Sequence, residues 1–255
     1  MTFTDTHCHL ADPKLANTLP TVLAEAQAVG VARFIVPATS PKDWQAVAQL
    51  ERPSENIHIA LGIHPWFSDG LNEAAFQELE SELIQHPQAW IGEIGLDFYG
   101  KEQTQAQRGT QTDVFIRQLI LAQNLNRRVI IHNLKATAAI AAAVKTTGFT
   151  QGGIVHAFSG SVEEARILVK LGFKIGIGSL LLNPNAKKVR TALQALNDTD
   201  FVLETDSPFM LGHETNTPAN IRRIAEIAAE LRGVPLAQLA EITEQNVNFL
   251  LHTSP

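Results

Sequence analysis

The chain is short of several features on which protein functions commonly rest. It has 1 cysteine in 255 residues, Cys8, so no disulfide can form within it, and nothing points to an oxidising compartment. No long uncharged apolar run occurs, and no signal-like apolar stretch follows Met1, so neither export nor membrane insertion is predicted. A cytoplasmic protein with no membrane partner and no obligate protein partner is the expectation. Positive charge is also scarce. Lys+Arg number 20 against 26 Asp+Glu, a formal net charge of -6 without long blocks of either sign, which excludes a broad cationic surface for gripping duplex phosphates. Neither G-x-x-x-x-G-K-[ST] nor G-x-G-x-x-G is present, so no nucleotide cofactor is indicated.

What is present is a repeated alternation of short apolar strands and helices. With 45% hydrophobic residues the chain can bury a large core, and its length suits one α/β barrel as well as it suits two smaller domains. The predicted strands are "FTDTHC", "RFIVPA", "IHIALG", "AWIGEIGL", "RVIIH", "GGIVHAF", "GFKIGIGS" and "FVLETD". Helical segments follow them. Ser40 and Pro41 read as the cap and first turn of one helix, running to about Glu51, and Ser161 with Glu164 as a capping box. Another helix is expected across Thr112 to Asn124, and Thr217 and Pro218 open a long one that Gly233 ends. The fold class is therefore α/β, a (β/α)8 TIM barrel in a single domain over 1–255. Residues 234–255 add extra C-terminal helices, with Thr243 as a cap.

Unusual polar residues gather at the ends of these strands. His7 and His9 close the first, His64 lies just beyond the third, and Glu93 and Asp97 come late in or just after the fourth. His132 ends the fifth strand, His156 the sixth, and Glu204 and Asp206 the eighth. In a barrel all these ends meet on the rim that carries the chemistry of such folds. Side chains two apart on a strand share a face, so His7 and His9 aim inward together while Cys8 points into the helix layer. Imidazole and carboxylate donors suit divalent ions such as zinc, manganese or magnesium. Four histidines and two carboxylates are too many for one ion that keeps an open position, and two divalent ions sharing a carboxylate fit the count better. Such a cluster keeps an excess of about two positive charges, enough to hold a phosphate on an acidic protein.

At these residues the sequence resembles the TatD family of metal-dependent hydrolases, amidohydrolase-like barrels that include deoxyribonucleases. The matching stretches are "DTHCHL", "GIHP", "GEIGLD", "IH", "HAFSG" and "ETDSP", in the family's order across positions 5 to 208, with "NTP" and "TEQNVNFL" as weaker terminal matches. The resemblance implies that His7 and His9 bind a first metal, Glu93 bridges, and His132 and His156 bind a second. Asp206 would ligate the first metal and act as base, and His64 would approach the substrate phosphate. Asp5 and Glu204 are candidates for orienting the ligands. The implied activity is phosphodiester hydrolysis on DNA by metal-activated water. Ser159 and Ser207 have no evident paired base, so no covalent intermediate is called for.

One segment departs from the family. Where members typically carry serine and arginine after the fifth-strand histidine, this chain has Asn133, Leu134 and Lys135. Lysine offers a compact flexible charge rather than a two-pronged fork, so Lys135 substitutes only in part. Trp66 and Tyr99 are candidates to stack on unpaired bases, whereas Phe158 and Phe209 are expected to pack in the upper core. His58, His86, His213 and His252 are assigned core or surface roles. A recessed site of this kind predicts an exonuclease acting on single-stranded DNA or frayed ends. The alternative is a barrel hydrolase of a carboxylic ester, lactone, amide or aminoacyl-nucleic acid.

Overall fold

The computed structural model describes residues 1–51, 56–100 and 102–252. Eight parallel strands lie in one sheet in chain order: β1 (Phe3–Asp5), β2 (Val31–Pro37), β3 (Ile57–Leu61), β4 (Trp90–Asp97), β5 (Val129–Leu134), β6 (Gly153–Val155), β7 (Phe173–Ile177) and β8 (Phe201–Leu203). Around them run α1 (Pro13–Ala16), α2 (Leu19–Ala28), α3 (Trp44–Glu51), α4 (Glu73–Gln85), α5 (Gln105–Asn124), α6 (Thr137–Thr147), α7 (Val162–Lys170), α8 (Lys187–Ala195), α9 (Ile221–Arg232) and α10 (Leu236–His252). Sequential parallel strands with helices in the connections make a TIM barrel. The seam between β8 and β1 is stitched just beyond the strands. Thr6 N–H and its hydroxyl donate to the Leu203 carbonyl at 3.0 and 2.9 Å, and His9 N–H donates to the Ser207 carbonyl at 2.7 Å. The barrel thus closes through the segments that carry His7, His9 and Asp206.

Two cores follow from strand alternation. Residues such as Phe34, Val36, Ile59, Ile91, Ile94 and Ile131 pack outward under the helices. Ile35, Ala60, Trp90, Ile130, Ile154 and Val202 form a separate inner cluster with Val247 and Leu250 of α10. The last helix therefore closes the floor of the barrel. Two residues beyond Ile130, Ile154 and Val202 come His132, His156 and Glu204, on the same inward face but at the opposite end. β4 reaches that end by a bulge: Ile91 pairs with Val129 and Ile94 with Ile131, so β4 spends one more residue than β5 between two outward positions. The extra position accommodates Glu93. Gly95 is obligatory beside it, because at φ +132° a Cβ there would stand 2.1 Å from the His132 carbonyl oxygen.

Several boundaries differ from the sequence expectation. α3 starts at Trp44, not at Ser40, because the Asp43 carboxylate accepts the N–H groups of Thr39 and Ser40 and folds that stretch into a turn. α5 starts at Gln105, seven residues before Thr112, under a Thr104–Gln107 capping box. α10 is one continuous helix. Thr243 does not cap it, and its buried hydroxyl donates to the Leu239 and Ala240 carbonyls instead. Residues 253–255, part of the expected C-terminal helical region, lie outside the described residues. Among the described residues no helix is long and apolar enough to cross a membrane.

Candidate active site

At the rim, the Glu93 carboxylate sits between two pairs of imidazoles. Its Oε2 lies 3.3 Å from His7 Nε2 and 3.7 Å from His9 Nε2. Its Oε1 lies 2.6 Å from His156 Nε2 and 3.1 Å from His132 Nδ1. Within each pair the nitrogens converge at 3.2 Å, His7 Nε2 on His9 Nε2 and His132 Nδ1 on His156 Nε2. Asp206 Oδ1 completes the first pole, 3.3 Å from His9 Nε2 and 3.6 Å from His7 Nε2. Lone pairs that point at one another from neutral rings repel unless a proton or a cation lies between them. The donors are nitrogen and carboxylate oxygen, all on buried or nearly buried side chains, which is the set that borderline and hard divalent ions take. The residues present therefore fit a metal, and Glu93 is the one carboxylate that faces both poles.

His64 approaches the second pole, with Nε2 3.3 Å from Glu93 Oε1. Its Nδ1 accepts the Trp66 backbone N–H at 3.2 Å, which assigns the ring proton to Nε2 and makes His64 a donor towards the site. The far nitrogen of His132, Nε2, faces Asp97 Oδ2 at 3.4 Å, and the same oxygen accepts the Trp66 indole N–H at 2.7 Å. Asp97 further accepts the Tyr99 N–H on Oδ1. A chain from Trp66 through Asp97 to His132 thus fixes one imidazole from behind. On the opposite side Asp5 is fully buried and grips backbone and hydroxyl rather than a ring: it accepts His7 N–H at 3.3 Å, Thr205 N–H at 2.9 Å and the Thr205 hydroxyl at 2.5 Å. Glu204 Oε1 accepts Ala157 N–H at 2.5 Å and lies 4.0 Å from His156 Nδ1. Glu204 Oε2 and His156 Nδ1 are both buried with no hydrogen-bond partner.

Burial and charge sort the ionisation states. Desolvation would raise Glu93, but the imidazoles packed around it and the hydrogen bond with His132 hold it well below the usual carboxylate range. Asp206 is likewise kept low against its burial, chiefly by the hydrogen bond from His9. Burial opposes protonation of His9, yet the Asp206 carboxylate beside it raises it to about 9. Asp97 and Glu93 do the same for His132, also to about 9. His7 goes the other way, to about 4, through desolvation and the His156 ring stacked 3.9 Å from it. Burial lowers His64 as well, so its donor role is that of a neutral ring. Asp5 is pushed up to about 7, and Glu204 well above its usual range, by desolvation. Each pole therefore combines an ionised carboxylate with one imidazole, His9 or His132, that must give up its proton to a cation.

His7, His9, His64, Glu93, His132, His156 and Asp206 are brought together, with Asp5 and Glu204 directly behind them. Lys135 is exposed, in the left-handed region at φ 58°, at the end of β5. Asn133 turns back to donate to the Thr137 hydroxyl. Trp66 and Tyr99 are exposed on the rim, and Phe158 is buried as expected. Phe209 is not in the upper core. It is 43% exposed, with its ring edge-on to His9 at 5.5 Å, because the loop after β8 carries it out beyond the last strand residue. Cys8 is buried, its thiol directed at the Ile35 carbonyl at 3.9 Å and held protonated by desolvation. Asp97 was assigned no role from sequence. The available signal was its place in the "GEIGLD" stretch, at a strand end two residues beyond Gly95.

Comparison with known proteins places this geometry in context. A family model described as TatD related DNase matches residues 4–252. The uncharacterized metal-dependent hydrolase YjjV of Escherichia coli is 32% identical over 98% of both chains. The human deoxyribonuclease TATDN3 is 30% identical, over 95% of this chain and 92% of its own. The crystal structure of the E. coli YjjV TatD homolog superposes with a TM-score of 0.91 at 31% identity, covering 99% of this chain and 98% of that one.

Proposed function

The chain belongs to the TatD family of metal-dependent hydrolases, and from that premise we propose that it is a deoxyribonuclease cutting phosphodiester bonds from strand ends at a dinuclear site. The observation that supports this most is the Glu93 carboxylate with one oxygen towards the His7/His9 pair and the other towards the His132/His156 pair. In this reading His7, His9, Glu93 and Asp206 hold one ion, and Glu93, His132 and His156 hold the other. When bound, divalent ions of the Mg, Mn or Zn kind supply Lewis acidity at the phosphoryl group and make water a stronger acid. Asp206, partly exposed at the rim and held ionised, takes the proton of the attacking water. His64 presents its Nε2–H to a non-bridging phosphate oxygen, where a neutral donor stabilises growing charge without competing for a cation. Asp97 fixes His132, Asp5 fixes the backbone of His7, and Glu204 stands behind His156.

The substrate assignment rests on the named deoxyribonuclease relative and on the exposed rim aromatics Trp66 and Tyr99, which are placed to stack on unpaired bases. Such a site fits single-stranded or frayed DNA, with the whole chain 1–255 acting as one catalytic domain. Lys135 lies on the rim beside His132 and contributes a flexible phosphate contact. The test is an end-labelled panel of single-stranded DNA, duplex DNA, RNA and small carboxylic esters, assayed with protein reconstituted in Mn, Mg or Zn and with chelated protein. Stepwise release of nucleotides from single-stranded DNA, abolished by chelator, is the expected result. Turnover of esters with no DNA cleavage would overturn the assignment in favour of carboxylic ester hydrolysis.

A further inference from the structure

Beside the first pole the rim holds a recess. It has a volume of about 160 Å3 and is lined by His9, Ala11 and Pro13 after β1, by Pro37 and Val47 from β2 and α3, and by Phe209 after β8. Asp12, Thr39 and Asp43 also border it, but their polar groups are engaged. Asp43 accepts the N–H groups of Thr39 and Ser40 and the Thr39 hydroxyl, and Asp12 accepts Lys14 N–H at 2.8 Å. What the recess offers is a small slot of mixed polarity with one aromatic wall. Phe209 is 43% exposed although its ring is anchored edge-on to His9, and the Lys14 ammonium stands 5.8 Å from the ring centroid.

We propose that this slot is a nucleobase subsite, taking the base of the nucleotide next to the scissile phosphate and stacking it on Phe209. The inference rests on the deoxyribonuclease reading above and adds to it where the strand lies. Size argues for one flat group: pockets that engulf whole small-molecule ligands run to roughly 300–1,000 Å3, and this one holds about half the lower bound. Position argues for a base: His9 is shared between slot and metal pole, so a group seated here is covalently within reach of a phosphate at Glu93 and Asp206. Charge argues for a nucleotide: the flexible Lys14 ammonium, over the Phe209 ring, swings out to meet the next phosphate along the strand as the base seats. Because a stack on Phe209 engages the face of a base and not its edge, the slot accepts every base, with pyrimidines fitting most easily.

The test uses the metal-reconstituted full chain and an oligothymidylate carrying one abasic tetrahydrofuran residue, moved in turn through the positions flanking the cleaved bond. At one flanking position the abasic residue is expected to lower kcat/KM roughly 10-fold, the size carried by one lost base–aromatic stack. Phe209→Ala is expected to cut the intact strand as slowly as the wild type cuts the abasic one, with no further loss on the abasic strand, while Phe209→Trp restores the difference. Ala11→Leu, which fills the slot while leaving Phe209 in place, gives the same collapse. Without turnover, saturation-transfer NMR with thymidine should place the base protons closer to the protein than the sugar protons, an effect lost in Phe209→Ala. If the wild type cuts every abasic strand at the intact rate, or Phe209→Ala keeps the discrimination, the slot proposal fails and the nuclease reading stands. If DNA is not cut at all, both fail.

Discussion

The floor and the rim of this barrel are built from the same strands, two residues apart. At the floor Ile130, Ile154 and Val202 meet Val247 and Leu250 of α10 in a dry cluster. One inward step further, His132, His156 and Glu204 sit among converging imidazoles and carboxylates, several with no protein partner for a buried polar atom. The floor is what a folding chain gains from: apolar area leaves water at roughly 25 cal/mol per Å2. The rim is a cost, since buried ionisable groups are desolvated without full compensation inside the protein. Nothing in folding alone rewards the rim, so its arrangement answers to a ligand. The alternation that makes one end stable also delivers His132 and His156 to the other, where the β4 bulge and the segments after β1 and β8 add the remaining donors.

That contrast can be broken in order of effect. Glu93→Ala, or Asp206→Ala, should lower kcat by roughly 10^3-fold or more on DNA, as loss of a preorganised transition-state group does, with the far-UV circular dichroism unchanged. Leu250→Ala at the floor should do the reverse: urea titration should show about 2–5 kcal/mol of lost stability, with kcat per folded molecule within twofold of wild type. Asp97→Asn, behind a ligand rather than at the metal, should cost about 10–100-fold in metal affinity or kcat/KM, measured by metal titration and by rate, and should leave stability near wild type. A further effect, one of pH dependence, should come from Asp5→Asn. A carboxyl whose pKa is raised from 3.8 to about 7 binds its proton more tightly when folded, so the wild type loses stability as pH rises between those values. The Asn variant, which cannot ionise, should gain on the wild type over that window, read as a rising difference in urea midpoint from pH 5 to pH 8. An Asp5→Asn midpoint that tracks the wild type at every pH would contradict the burial argument.

Much of this was legible in the sequence, and the reasons are specific. The inner face of β5, β6 and β8 follows from strict alternation, and Gly233 and the Ser161–Glu164 box end and start helices as their chemistry demands. Alternation also predicted that His7 and His9 face the same way, although the chain bends at Thr6 and His7 rather than continuing as regular strand. The start of α5 was missed because its first turns are polar and contain Gly109, which hides the helical period, even though the Thr104–Gln107 spacing was there to see. Ser40 misled because Asp43, three residues on, takes the N–H groups of Thr39 and Ser40 and folds the stretch into a turn before the helix starts. Phe209 was misplaced because a residue beyond the last strand position is no longer bound by sheet geometry. Asp97 went without a role for a tertiary reason: which nitrogen of His132 faces Glu93, and which faces Asp97, depends on the register of β4 against β5 at the bulge.

The central claim is that the two imidazole pairs are separate poles joined through Glu93. The direct measurement is metal stoichiometry by equilibrium titration and elemental analysis, on the wild type and on the pairwise His7→Ala/His9→Ala and His132→Ala/His156→Ala variants. The account predicts two ions per wild-type chain and one in each paired variant. A single ion in the wild type, or two retained after either pair is removed, would contradict it.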